Sequence, residues 1–171
     1  YPLFVFSGLI LWNVFSVGVT VAGNGMISNA NIIKKIYFPR LIIPISSVLV
    51  SLFDFLIAFL IFIGMLIYYQ FHVNFLNFLI YIPLGIIVTS ISTFGMGTLL
   101  AALNIKYRDF RYVIPFLVQA LLFITPVIYP LSILTNDGLK YIVALNPMYA
   151  AITLFRLGII DGSVDMNLIL I

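Results

Sequence analysis

The chain has 171 residues and a net charge of +3, with 64% of its residues hydrophobic and only 8% charged. A water-soluble domain carries about a quarter charged residues, so this composition, with a mean hydropathy of +1.25, excludes an ordinary soluble enzyme or binding module. The absence of cysteine also excludes disulfides and thiolate metal sites. Uncharged apolar runs of about 20 residues are what a helix needs to cross about 30 Å of hydrocarbon. The chain therefore reads as an all-α, polytopic helical membrane protein built as one transmembrane domain. Six of its eight Lys and Arg residues sit in Asn31–Arg40 and Lys106–Arg111, which suits anionic lipid or a protein partner and not nucleic acid.

The first span is read as Tyr1–Ala22, ended by Gly23, Asn24 and Gly25. No basic leader or cleavage site precedes it, so it is a span and not a signal peptide. Residues 23–40 follow as a polar, basic connection. Within it Ile32, Ile33, Ile36 and Tyr37 share one helical face, and Asn31, Lys34 and Lys35 share the other. That pattern predicts a short amphipathic surface helix, capped by Asn29 or Asn31 and ended before Pro39. The second span covers about Leu41–Tyr69, with Pro44 in its first turn. A polar hairpin takes Gln70–Asn77, and the third span covers about Phe78–Leu103, where Pro83 is expected to kink the helix. In that span Thr93, Gly97 and Ala101 recur at four-residue spacing, either as a close-packing stripe or by chance among small residues.

Residues 104–111, NIKYRDFR, form the second basic loop. The fourth segment, 112–134, contains Pro115, Pro126 and Pro130 and is expected to be a broken helix. Asn146 and Pro147 then supply an N-cap and a first helical residue for a run to Ile160. That run reaches only about 21 Å as a helix, too short to span. Residues 135–162 are accordingly read as an outer re-entrant or interfacial region. Residues 163–171 open a further apolar segment, and the chain, which begins without methionine, reads as a fragment.

Lysine and arginine mark the cytoplasmic side of a membrane protein. Lys34, Lys35 and Arg40 lie in one loop and Lys106, Arg108 and Arg111 in the other, two spans apart, while the hairpin between has neither residue type. Both basic loops are expected inside, with Tyr1 and the region after Leu134 outside.

No catalytic constellation is visible. His72 is the only histidine, and neither Walker A nor another glycine-rich phosphate cradle occurs. No enzyme activity and no cofactor are expected, and ATP-driven work would need a separate polypeptide. Asp54 lies deep in the second span, about 20 Å from its inner end, where a carboxylate costs several kcal/mol. It is read as a structural residue hydrogen-bonded between helices; proton coupling in a secondary transporter is the alternative role. Asn13 and Gln119 are the other polar residues at depth. Aromatic residues gather near the expected outer surface, Tyr68, Tyr69, Tyr81 and Tyr129 among them. They form either an interfacial belt or stacking faces along a sugar path.

NANIIKKIYFPR at Asn29–Arg40, running into LIIPISSVLVSLFDFLIAF at Leu41–Phe59, resembles the transmembrane subunit of ABC-2-type exporters. The resemblance is strongest to the polysaccharide, O-antigen and teichoic acid export permeases. ALNIKYRDFRYVIPFLVQ at Ala102–Gln119, TPVIYP at Thr125–Pro130 and ALNPMY at Ala144–Tyr149 resemble the same family in the same order. This implies an ABC-2 exporter-type bundle with re-entrant outer helices, without ATPase motifs of its own. It further implies a homodimer bound to a separate ATP-binding cassette subunit, exporting a lipid-linked polysaccharide across the cytoplasmic (inner) membrane. On the same resemblance, Asn29, Asn31, Lys34, Lys35, Tyr37 and Phe38 form or flank the helix that docks on the ATPase. Arg108 and Asp109 fall in the second cytoplasmic loop. The proline-broken segment and the Asn146–Ile160 run become re-entrant helices that narrow the exit, and the aromatic ring gains weight as a sugar contact. The family's first span and the rest of its last are expected to lie outside this sequence. An ABC-2 permease for a drug or small lipid shares the topology and stays open as an alternative.

Overall fold

Long apolar runs without internal charge leave a chain in lipid no option but to satisfy its backbone within each segment, as helix. The computed structural model describes residues 2–30, 39, 41–71, 73–107, 109–128 and 143–159. Among these, the principal elements are α1 (Pro2–Ser28), α2 (Ile42–Tyr68), α3 (Phe75–Lys106), α4 (Phe110–Ile124) and α5 (Pro147–Leu157). The first three are long and apolar enough to cross a membrane, while α4 is apolar but shorter. Residues 31–38, which carry most of the expected amphipathic helix, lie outside the described residues, as do Arg108, Tyr129 and residues 163–171.

Helix α1 is the hub, packing against each of the other four and most extensively against α2 and α3. Half of its apolar window is buried, against 22% for α2 and 17% for α3. Small residues explain this. A Cβ on Gly18 would collide with Thr93, and one on Gly97 would come within 2.8 Å of the Ala22 Cβ. The Thr93, Gly97 and Ala101 stripe is buried along α3 and brings α1 and α3 into close contact, the geometry that small residues permit where lipid supplies no hydrophobic drive.

The same packing corrects the first boundary. Gly23, Asn24 and Gly25 do not end the helix; α1 continues through them to Ser28. Gly23 leaves room for Ile114 of α4, and Gly25 for Ile43 of α2, so these glycines serve helix packing and not a turn. Asn29 also belongs to this helix end: its Nδ2 donates back to the Gly25 carbonyl at 2.9 Å.

Helix α2 ends in a paired backbone closure, with Gln70 N–H donating to Ile67 O and Phe71 N–H to Leu66 O, both at 3.1 Å. Gln70 adopts φ 50° to make it, the conformation usually given to glycine after a helix. Asn74 then caps α3 by accepting from Leu76 N–H at 3.2 Å, three residues before the expected start. Pro83 and Pro115 both lie inside helices. At the far end of the bundle an aromatic cluster seats α5: Phe155, fully buried, meets Phe55, Phe59 and Phe62 at 6.0–6.3 Å between centroids. Gly85 of α3 lets the α5 backbone approach closely, since a Cβ there would stand 3.1 Å from the Ala151 carbonyl.

Candidate transport path and its two ends

Polar residues on α1 recur at Asn13, Ser16, Thr20 and Asn24, steps of three and four that hold them to one face. Ser16, Thr20 and Asn24 direct their donors onto their own helix: Ser16 Oγ to Asn13 O at 3.2 Å, Thr20 Oγ1 to Ser16 O at 2.7 Å, and Asn24 Nδ2 to Thr20 O at 3.1 Å. Lone pairs of these hydroxyl oxygens remain available to a visitor. Between this face and α4 runs an open groove of about 420 Å³, lined by Trp12, Ser16, Val17, Thr20, Val21, Pro115, Val118, Gln119 and Leu122. The structure thus brings Gln119 to the same groove as the α1 hydroxyls. Asn13 is exposed on the same helix, and Asp54 is not part of the groove.

At the end of the bundle near the second basic loop, Asn104 is fully buried. Its Nδ2 donates to Gly23 O at 2.9 Å and to Asn24 Oδ1 at 3.3 Å. This joins the last turn of α3, which takes up the first three residues of the expected 104–111 loop, to α1 just before the first basic segment. The Asn104 Oδ1 is buried without a partner. Lys106 occupies the last turn of α3, where a cation complements the helix dipole, and its Nζ stands 5.3 Å from the Tyr107 ring. Asp109 sits exposed at the start of α4 with no capping bond from its side chain.

The opposite end is organised by a residue that sequence reading passed over. Arg156 projects from α5 and donates to the carbonyls of Val127 at 2.6 Å, Pro126 at 3.0 Å and Phe4 at 3.2 Å. Its guanidinium also lies 3.6 Å from the centre of the Phe4 ring. Chain that leaves a helix frees carbonyls, which must find donors wherever water is scarce. Thr125–Val127, just past the end of α4, is such a stretch, and Arg156 supplies the donors. Asn146 adds to the same junction: its Oδ1 caps α5 by accepting from Met148 N–H at 3.0 Å, while its Nδ2 donates to Thr125 Oγ1 at 2.8 Å. One signal in the sequence pointed to Arg156, as the only charged residue of the Asn146–Ile160 run. Its partners are backbone atoms and carry no sequence signature.

The other expected residues divide plainly. Asp54 lies exposed on the face of α2 turned away from the bundle and makes no hydrogen bond among the described residues. The side of α2 that packs within the described bundle is the Ser47, Ser51 and Phe55 side. Tyr68 and Tyr69 meet edge to face at 5.4 Å, and Tyr68 is 81% exposed. Tyr81 is half-buried on α3 and shares no ring contact with them. Asn31, Lys34, Lys35, Tyr37, Phe38, Arg108 and Tyr129 lie outside the described residues.

Among the described residues, three apolar helices of spanning length, α2 and α3 packed through small residues against α1, define a polytopic helical membrane protein. The profile of the ABC-2 type transporter family matches residues 2–160, and the chain belongs to that family. Relatives include a protein of Klebsiella pneumoniae named O-antigen export system permease protein RfbA, 30% identical over 169 residues, which cover 99% of this chain and 64% of that protein. A Myxococcus xanthus protein of the same name is 28% identical over 162 residues, 91% of this chain and 60% of the relative. The chain spans less than two thirds of the length of these curated relatives.

Proposed function

We propose that this chain is the membrane permease part of an ABC exporter that moves a lipid-linked polysaccharide, of the O-antigen type, across the inner membrane. The observation that carries this reading is the similarity to an O-antigen export permease, 30% identity over 99% of the chain. ATP is hydrolysed by a separate subunit, as membership of the ABC-2 type transporter family implies. The permease works as a homodimer, each copy presenting its first basic segment to one ATPase on the cytoplasmic side. Asn29, Asn31, Lys34, Lys35, Tyr37 and Phe38 form that docking element, with Arg108 and Asp109 beside it. Long glycans cannot be enclosed in a small alternating cavity, so the polymer passes stepwise between the two copies.

The α1–α4 groove supports this chemistry, since its hydroxyl oxygens and the Gln119 amide offer hydrogen bonds to sugar hydroxyls between apolar walls. Tyr68 and Tyr69 offer stacking faces at the expected exit. Asp54 has no basic side chain beside it among the described residues, which gives the secondary-transporter reading no support. The test is to purify the full-length protein in mild detergent from its own membranes and identify its companions. Stoichiometric recovery of a Walker A polypeptide, with ATP hydrolysis stimulated by the polyprenyl-linked glycan, is expected. A preparation reproducibly free of any ATPase would overturn the proposal.

A further inference from the structure

Among the described residues Arg156 is a cation held by neutral groups. A mostly buried guanidinium is ordinarily paired with a carboxylate, yet its three hydrogen-bond acceptors among those residues are all backbone carbonyls. Its Nε is buried and makes no hydrogen bond. Bonds to neutral carbonyls are weaker than charge-paired ones and can be exchanged without stranding a buried anion.

Those bonds are also unevenly shared. Helix α5 and the Thr125–Val127 stretch are tied together by Arg156 to Pro126 O, Arg156 to Val127 O, and Asn146 to Thr125. Helix α1 is tied to this unit through Arg156 only by the 3.2 Å bond to Phe4 O and by the Phe4 ring. Gly8 keeps that junction open to the guanidinium, for a Cβ there would stand 2.7 Å from Arg156 Nη2 and 3.0 Å from Val127 O. Of the three hydrogen bonds that Arg156 makes, two stay within the joined α5–127 unit and a single one crosses the seam to α1.

We propose that Arg156 is a releasable latch: it holds α5 and the chain break after α4 against the Phe4–Gly8 end of α1, and the seam opens when the guanidinium leaves Phe4. Arg156 is a positioning residue, acting through backbone groups and not on the transported molecule. The opening of this seam during export rests on the proposed function; the latch at rest does not.

The test uses the absence of cysteine from these 171 residues, any cysteine elsewhere in the full-length protein or in its ATPase being replaced by serine. A single reporter, Val127→Cys, is placed at a fully buried position in the full-length protein with its ATPase, and its reaction with a membrane-impermeant maleimide is timed. Without ATP the reporter is expected to stay protected in the Arg156 protein. Arg156→Gln should raise the labelling rate about tenfold or more, as expected when hydrogen bonds from a charged donor are lost. Arg156→Lys, which keeps the charge but not the planar fork, should fall between them. Unchanged labelling in Arg156→Gln protein that assembles normally would overturn the latch. If that variant fails to accumulate, Arg156→Lys decides: labelling equal to the parent overturns the proposal, and faster labelling supports it. In a separate arm with ATP and glycan, labelling of the Arg156 protein is expected to rise during turnover. Protection that persists through ATP hydrolysis would overturn seam opening in export, while the resting comparison still judges the latch.

Discussion

Asn104 shows how much a single buried amide can join. It connects the ends of two helices whose sequences continue into the two basic segments, and it leaves one oxygen unpaired in doing so. Side-chain hydrogen bonds within membrane proteins average about 0.6 kcal/mol, and an orphaned oxygen subtracts from that gain. Asn104→Leu, which removes the bonds and the orphan together, is therefore expected to cost only about 1 kcal/mol. Asn104→Asp replaces the donor with a buried carboxylate facing the Gly23 carbonyl and should cost several kcal/mol. Thermal midpoints in detergent should rank parent, Leu, then Asp with a wide gap. Equal loss in the two variants would mean that the contact acts by shape and not by polarity. Residues of this kind are hard to read from sequence. Asn104 stands in a quoted motif, but nothing in its neighbours names Gly23, 81 residues away. Arg156 is harder still, since its partners are carbonyls that every residue possesses.

Among the elements, apolar length made the long helices legible, and Asn146 with Pro147 marked the start of α5 correctly because cap chemistry is local. Ends governed by packing were not legible. Gly23 and Gly25 looked like a stop and are contacts for Ile114 and Ile43. For Asp54 the depth can be counted along the helix, whereas the packed face cannot be told when every face is apolar. The end of α2 is a further case, since a left-handed residue there would ordinarily be announced by glycine. Gln70 takes that conformation at a steric penalty that a glycine would avoid. Gln70→Gly is expected to raise stability by about 0.5–1 kcal/mol, the relief of strain being partly offset by the freer unfolded chain. A higher thermal midpoint with unchanged assembly would show it, and a lower one would mean that the Gln70 side chain contributes contacts of its own.

Taken whole, the molecule has a basic end that contains Asn104 and an opposite end organised by Arg156, with α1 passing between them. On the proposed function, displacement from a cytoplasmic ATPase must travel along this body, and the first basic segment is the proposed place to receive it. Lys34→Glu combined with Lys35→Glu reverses the charge of the expected docking face. Surface glycan should fall about tenfold or more while the permease still reaches the membrane. Normal surface glycan in that variant would remove the docking assignment.

The central position of α1 has a consequence for how the protein is made. Of the described helices α1 is synthesised first, and its face around Gly18 is shaped for Thr93 and Gly97 of α3, which follows only after α2 and the hairpin. At about 5–20 residues per second, that face stands uncovered in lipid for several seconds before its partner emerges. During this interval the nascent chain is a substrate for membrane quality control. Bulk introduced at Gly18 or Gly97 would then show as protein that never accumulates, and a transport assay on surviving molecules would miss the defect.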